Sequence, residues 1–139
     1  MIILETSGVL AAPFPDQRDH ASARAALEAA DGPLVLSPFV LAELGYFVAG
    51  RAGVDIEQRL LADVAAGAYT LASFGSADVA AASEVIARYA DLGLGLTDAS
   101  LVVLADRFDT DRILTLDHRR FRTVTGRAGK PFRLLPADA

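Results

Sequence analysis

Four acidic residues stand at positions where solubility alone does not account for them. Glu5 closes the apolar run Ile2-Ile3-Leu4, and Glu43 interrupts Phe39-Val40-Leu41-Ala42-Glu43-Leu44. Asp98 opens an apolar helical stretch, and Asp117 follows Ile113-Leu114-Thr115-Leu116. All-oxygen ligands gathered in one cleft favour a hard cation, Mg2+ or Mn2+, that keeps several of its waters. An ion held this way polarises a phosphoryl oxygen, lowers the pKa of an attacking water and supports the leaving oxygen. No side-chain nucleophile is then required. Singly, each acid has a plainer role: Asp98 suits a helix cap, Asp117 an Asx turn, and Glu43 a solvated helix position. For Glu5 the sequence offers no structural job. The chain has no cysteine and only His20 and His118 as histidines, so no zinc or iron ligand set competes.

The elements that must position these acids follow from periodicity. Leu101, Leu104, Ala105 and Phe108 fall at i, i+3, i+4 and i+7, the stripe of a helix on a core, with Thr97 or Asp98 as its cap. The run 113–116 is short and partly β-branched, which predicts a buried strand with Asp117 just past its end. Further strands are expected over 1–4, 34–36, 69–72 and 132–135. Helices are expected over 17–30, from Pro38 to a stop at Gly50 with Ser37 as cap, over 55–66, and over 77–90 with Ser76 as cap. The stripe of the second is read as Val40, Leu44, Phe47 and Val48. Thr6-Ser7-Gly8 follow the first strand with no element assigned, Pro13 and Pro15 mark a loop, and the residues after Asp117 read as a short basic segment. Alternating strands and helices imply one α/β domain over residues 1–139, an α/β/α sandwich on a mainly parallel sheet. Right-handed crossovers bring the strand carboxyl ends to one edge, where ligands bind, so the four acids converge.

Composition narrows the function classes. At 53% hydrophobic the chain supports a real core, and its net charge of −5 argues against a general nucleic-acid binder. The acids concentrate before Asp106, however, while the last quarter is basic and carries Arg112, Arg119, Arg120 and Arg122. Local phosphate contact is therefore open chiefly to Arg119, Arg120 and Arg122 beside Asp117, and secondarily to Arg112 and Arg127. No apolar run approaches the ~18 residues of a membrane span, and no basic leader precedes the first strand, so a cytoplasmic protein is expected. A phosphoacceptor receiver would need an acceptor Asp after the third strand, where Ala72-Ser73-Phe74 stands. A dinucleotide site would need G-x-G-x-x-G after the first strand, where Gly8 is alone.

Taken together, Ile2-Ile3-Leu4-Glu5-Thr6-Ser7, Ser37-Pro38-Phe39-Val40-Leu41-Ala42-Glu43-Leu44, Leu96-Thr97-Asp98-Ala99 and Leu114-Thr115-Leu116-Asp117-His118-Arg119-Arg120-Phe121 resemble the PIN-domain ribonucleases. The likeness is to the VapC-type toxins of toxin–antitoxin pairs in particular. The resemblance implies a five-stranded parallel sandwich, usually dimeric, that cuts RNA with Mg2+ or Mn2+. Its carboxylates would be Glu5, Glu43, Asp98 and Asp117, supported by the Thr6 or Ser7 hydroxyl. It implies the ribosomal sarcin–ricin loop or particular tRNAs as targets, and a small VapB-type antitoxin that blocks the site. Tyr46 or Phe47 would serve a homodimer if exposed, and belong to the core if not. One residue departs from the family pattern, which places Asp before Thr-Ser where this chain has Glu5. The added methylene moves an extended carboxylate about 1.5 Å outward, and misplacement by about 1 Å costs ~100-fold in rate. Glu5 is thus either a tolerated variant with a shifted metal or an attenuating one. The other open reading is a non-catalytic module that keeps the fold.

Overall fold

The computed structural model describes residues 1–139. Its centre is β1 (Ile2–Leu4), three residues buried on both faces as a parallel strand between helical layers must be. Around it stand β2 (Leu34–Leu36), β3 (Thr70–Leu71), β4 (Arg112–Leu114) and β5 (Arg133–Leu135), in the order β3-β2-β1-β4-β5. Every pairing is parallel. The chain winds outward from β1 to β3, then crosses back to β4 on the other side. The order therefore reverses between β1 and β4, and a crevice opens at their carboxyl ends.

The helices are α1 (Thr6–Ala11), α2 (His20–Glu28), α3 (Pro38–Ala52), α4 (Val54–Ala65), α5 (Ser76–Arg88), α6 (Leu96–Arg107) and α7 (His118–Thr123). Of these, α6 is buried continuously from Asp98 to Ala105, more than the single stripe its spacing suggests. It lies between the sheet and α5, so no side of it faces water for long. No helix is long and apolar enough to cross a membrane.

Several boundaries differ from the sequence reading, each for a physical reason. Residues 6–8, to which the sequence reading assigns no element, open a helix: α1 starts directly after Glu5, whose carboxylate caps it. The basic segment after Asp117 is likewise a helix, α7, capped by Asp117. Each spans six residues, too few to show a periodic stripe. Gly50 does not stop α3, which runs on to Gly53, where φ of 90° suits glycine alone. The residue before α6 is Gly95, which places Thr97 and Asp98 inside its first turn rather than at the cap. The cap of α5 is Gly75, whose N–H donates to Asp78 Oδ2 (2.9 Å), so Ser76 is the first helical residue. Phe47 faces out at 49% exposure, and the buried side of α3 is Val40, Leu44, Gly45 and Val48.

Candidate active site

The local backbone explains why acids come together at the crevice. After β1 the chain turns at once into α1, and Glu5 is the hinge residue. Its Oε2 accepts from the Ser7 N–H (3.0 Å), the Ser7 hydroxyl and the Thr115 hydroxyl (2.9 Å). The tight turn is possible because residue 8 is glycine. A Cβ there would stand 2.7 Å from the Leu114 carbonyl oxygen, so α1 lies against the end of β4. Across the crevice, Thr115 is fully buried just past β4, and its Oγ1 also accepts from the Asp117 N–H (2.9 Å). The Leu116 N–H donates to Ser7 Oγ (3.0 Å). One hydroxyl web thus ties the end of β1 to the end of β4, and with them Glu5 to Asp117.

The other two acids arrive on helices. Ser37, fully buried after β2, accepts from the Phe39 N–H (3.2 Å) and starts α3, which carries Glu43 in its second turn. Ser100 on α6 donates to the Thr97 carbonyl (2.6 Å), so its contact with Ser37 (2.8 Å) takes the Ser37 proton. That buried pair locks the helix of Glu43 to the helix of Asp98. Thr6 Oγ1 then donates to Glu43 Oε1 (2.7 Å), joining α1 to α3.

Electrostatics show how crowded these carboxylates are. Glu5 and Asp98 are each only 9% exposed. Burial pushes the Glu5 carboxyl above the usual range, against the Ser7 and Thr115 hydrogen bonds that lower it, and the charge of Asp98 raises it further. Burial also raises Asp98; Arg120 opposes this, while Asp117 and Glu43 add to it. Arg120 Nη1 reaches Asp98 Oδ2 at 2.7 Å, and its Nε lies 3.7 Å from Asp117 Oδ2. No other cationic side chain touches the four acids.

A divalent cation fits this donor set. Glu5 Oε1, Glu43 Oε2 and Asp98 Oδ1 accept no hydrogen bond, although the second oxygen of each carboxylate does. None of these free oxygens is sealed from solvent. Desolvated, mutually repelling carboxylates with one free oxygen apiece call for positive charge, and oxygen donors select a hard ion. As the side chains stand, no three of the acids are drawn tight enough to form a preformed cage.

The sequence-derived candidates divide on placement. Glu5, Thr6, Ser7, Glu43, Asp98, Asp117 and Arg120 share the crevice. Arg119 is exposed on α7 beside it. Arg122 points away, its guanidinium bonded to both oxygens of Asp138 (2.6 and 2.5 Å). Arg112 opens β4 at the amino edge, where it lines a polar pocket of about 550 Å3 with Met1, Arg127 and Lys130. The expectation that Arg112 stands near the acids is therefore corrected: a strand's first residue lies at the edge opposite its last. Sequence reasoning missed Thr115, whose one signal was a hydroxyl inside an apolar run, and the Ser37–Ser100 lock.

A parallel α/β/α sheet with carboxylates at its switch point defines a class. The chain belongs to the PIN-domain family, whose pattern matches residues 2–126. Its kin within that family are VapC proteins. Ribonuclease VapC26 of Mycobacterium tuberculosis (strain ATCC 25618 / H37Rv) is 41% identical over 135 residues, covering 97% of this chain and 100% of that protein. The fold is shared with VapC20 of Mycobacterium tuberculosis, described as a sarcin–ricin loop cleaving toxin. The two superpose with a TM-score of 0.76 at 16% identity, over 86% of this chain and 94% of that one. It is shared also with VapBC2 from Rickettsia felis, solved bound to a DNA fragment from their promoter. There the TM-score is 0.68 at 17% identity, over 96% of this chain and 98% of that one.

Proposed function

We propose that this chain is a Mg2+- or Mn2+-dependent endoribonuclease toxin that hydrolyses phosphodiester bonds in a specific RNA. The observation that carries the reading is the convergence of Glu5, Glu43, Asp98 and Asp117 from four separate elements, three of them with an oxygen left free. When bound, a divalent ion supplies charge stabilisation at the phosphoryl oxygens and a water acidic enough to attack. Glu5, Glu43, Asp98 and Asp117 would hold it; Thr6 and Ser7 orient Glu43 and Glu5. Arg119 and Arg120 face the RNA backbone, where a planar fork donates two parallel bonds to phosphate. The name of VapC26 supports RNA as substrate. VapC20 supports the sarcin–ricin loop as the RNA to test first, with tRNA second. The VapBC2 assembly supports a VapB-type antitoxin as partner. Tyr46, 78% exposed, and Phe47 offer apolar surface for a homodimer. Such RNAs place the activity in the cytoplasm.

The test is a cleavage assay on a synthetic sarcin–ricin loop and a tRNA pool, with Mg2+, with Mn2+ and with chelator. Cation-dependent cuts at defined bonds are expected, and Asp98→Asn should abolish them by removing a ligand with little change in shape. Cleavage that persists in chelator, or in the Asn variant, would overturn the reading. Glu5 favours a second reading, a non-catalytic binder, since three donors hold one of its oxygens. That reading requires no cleavage under any condition, with or without Asp at position 5.

A further inference from the structure

We infer that Arg120 is an internal counter-ion that occupies Asp98 until a divalent cation displaces it, and that the released guanidinium then engages the RNA phosphate. The inference rests on the cation-dependent reading above. Its basis is position. Arg120 is the one cation in contact with the acid cluster, bonding Asp98 at 2.7 Å and standing 3.7 Å from Asp117. The two carboxylates it spans come from α6 and from the cap of α7, so the guanidinium bridges the crevice where a metal would. A guanidinium and a divalent ion are rivals there. Each draws its binding energy from the same carboxylate charge, and repulsion between them forbids close joint occupancy.

The side chain is free to leave. It is 43% exposed, and its only polar partners are Asp98 and Asp117. Its neighbours contrast with it: Arg122 is clamped by Asp138, and Arg107 by the Ser73 carbonyl and Asp78. The root of Arg120 is fixed, because its backbone N–H donates to Asp117 Oδ1 (3.3 Å) in the first turn of α7. Displacement therefore swings a guanidinium on a short tether at the mouth of the site. Without the cation it shields buried negative charge; with the cation it presents positive charge to an anionic substrate.

The two roles have opposite signs, which makes them separable. Mn2+ affinity is measured by calorimetry on the wild-type chain, R120A, R120K and R119A, alongside the melting temperature in chelator and in Mn2+. R120A should bind Mn2+ about tenfold tighter, the weight of one charge-assisted hydrogen bond that no longer has to be given up. It should also show the larger Mn2+-induced rise in melting temperature. R120K, which keeps the charge without the fork, should fall between, and it reports the same sign if R120A folds poorly. R119A, neutralised one residue away without touching the acids, should change affinity by less than about twofold at ordinary salt. At saturating Mn2+, R120A should nevertheless cleave RNA more slowly than the wild-type chain. Equal or weaker Mn2+ binding by R120A, or an equal effect of R119A, overturns this inference and leaves the cation-dependent reading standing. Undiminished cleavage by R120A at saturating Mn2+ overturns the phosphate role. Absence of Mn2+ binding by every variant overturns both the inference and the reading beneath it.

Discussion

At the scale of single residues, the site turns on two buried carboxylates, Asp98 and Glu5. Asp98 has the position of a helix cap but lies inside the first turn of α6, where its carboxylate caps nothing and is held by Arg120. Glu5, with no structural job in sequence, caps α1 through the Ser7 N–H. Burial raises the carboxyls of both above the usual range, so keeping them charged costs stability. Glu5 spends one oxygen on the Ser7 and Thr115 donors and leaves the other free. Glu5→Asp should keep the cap, draw the free oxygen back and raise cleavage of the same RNA by about tenfold to ~100-fold at fixed Mn2+. A variant no faster than the parent would remove length as the issue. Thr115→Val keeps shape but deprives Glu5 of a donor and the Asp117 N–H of its acceptor. A buried group left unpaired costs about 1–3 kcal/mol, so the melting temperature should fall by roughly 3–10 °C. An unchanged value in a thermal melt would mean the hydroxyl web carries no load.

At the scale of elements, the site is a matter of two short helices and two long ones. Helices α1 and α7 begin at Glu5 and Asp117, so each acid serves at once as cap and as candidate ligand. That economy places both carboxylates at the crevice without a loop to wander. The long helices α3 and α6 bring Glu43 and Asp98, and the buried Ser37–Ser100 contact keeps them in register. The weakest tolerance is at Gly8, where a methyl would meet the Leu114 carbonyl oxygen at 2.7 Å and its carbon at 2.8 Å. Backbone cannot yield as a side-chain tip does. Gly8→Ala should cost about 1–3 kcal/mol by overpacking and push α1 off β4. Cleavage should then drop further than the loss of folded chain explains, as a melt and a rate assay on one preparation would show. A purely proportional loss would mean that the approach of α1 to β4 does not set the site.

At the scale of the whole molecule, the C-terminal residues are tied back across the basic end of the chain. Asp138 accepts from Arg122 on α7 and from the Leu134 N–H (2.8 Å) on β5. Chiefly through the Arg122 hydrogen bonds, and then that of Leu134, its carboxyl is lowered from 3.8 to about 2. A carboxyl depressed in the folded state adds stability above its ordinary pKa and loses it as pH falls through the folded value. Hydrogen exchange at Arg133 to Leu135 should therefore quicken as pH drops from about 4 to about 2, beyond the intrinsic trend, and Asp138→Asn should remove that step. An identical profile in the variant would mean the clasp contributes nothing. The reach of this effect is local, because both partners are exposed and screened by solvent.

Read from residue order alone, this chain already specified most of its architecture. Short apolar runs between helical patterns read as parallel strands, and right-handed crossovers then leave one edge for Glu5 and Asp117. Long stripes on α3 and α6 predicted those helices, and four acids in apolar company predicted a site. Helices of six residues stayed hidden because no period shows over so short a span. Tertiary structure decided what periodicity does not carry. It set Thr115 between two acids, paired Ser37 with Ser100 over 63 residues of sequence, and laid Arg120 across the carboxylates while turning Arg122 and Arg112 elsewhere. Those outcomes depend on which groups lie within a few ångströms once the sheet closes. Distance in space is fixed by packing, and only backbone period is written along the chain.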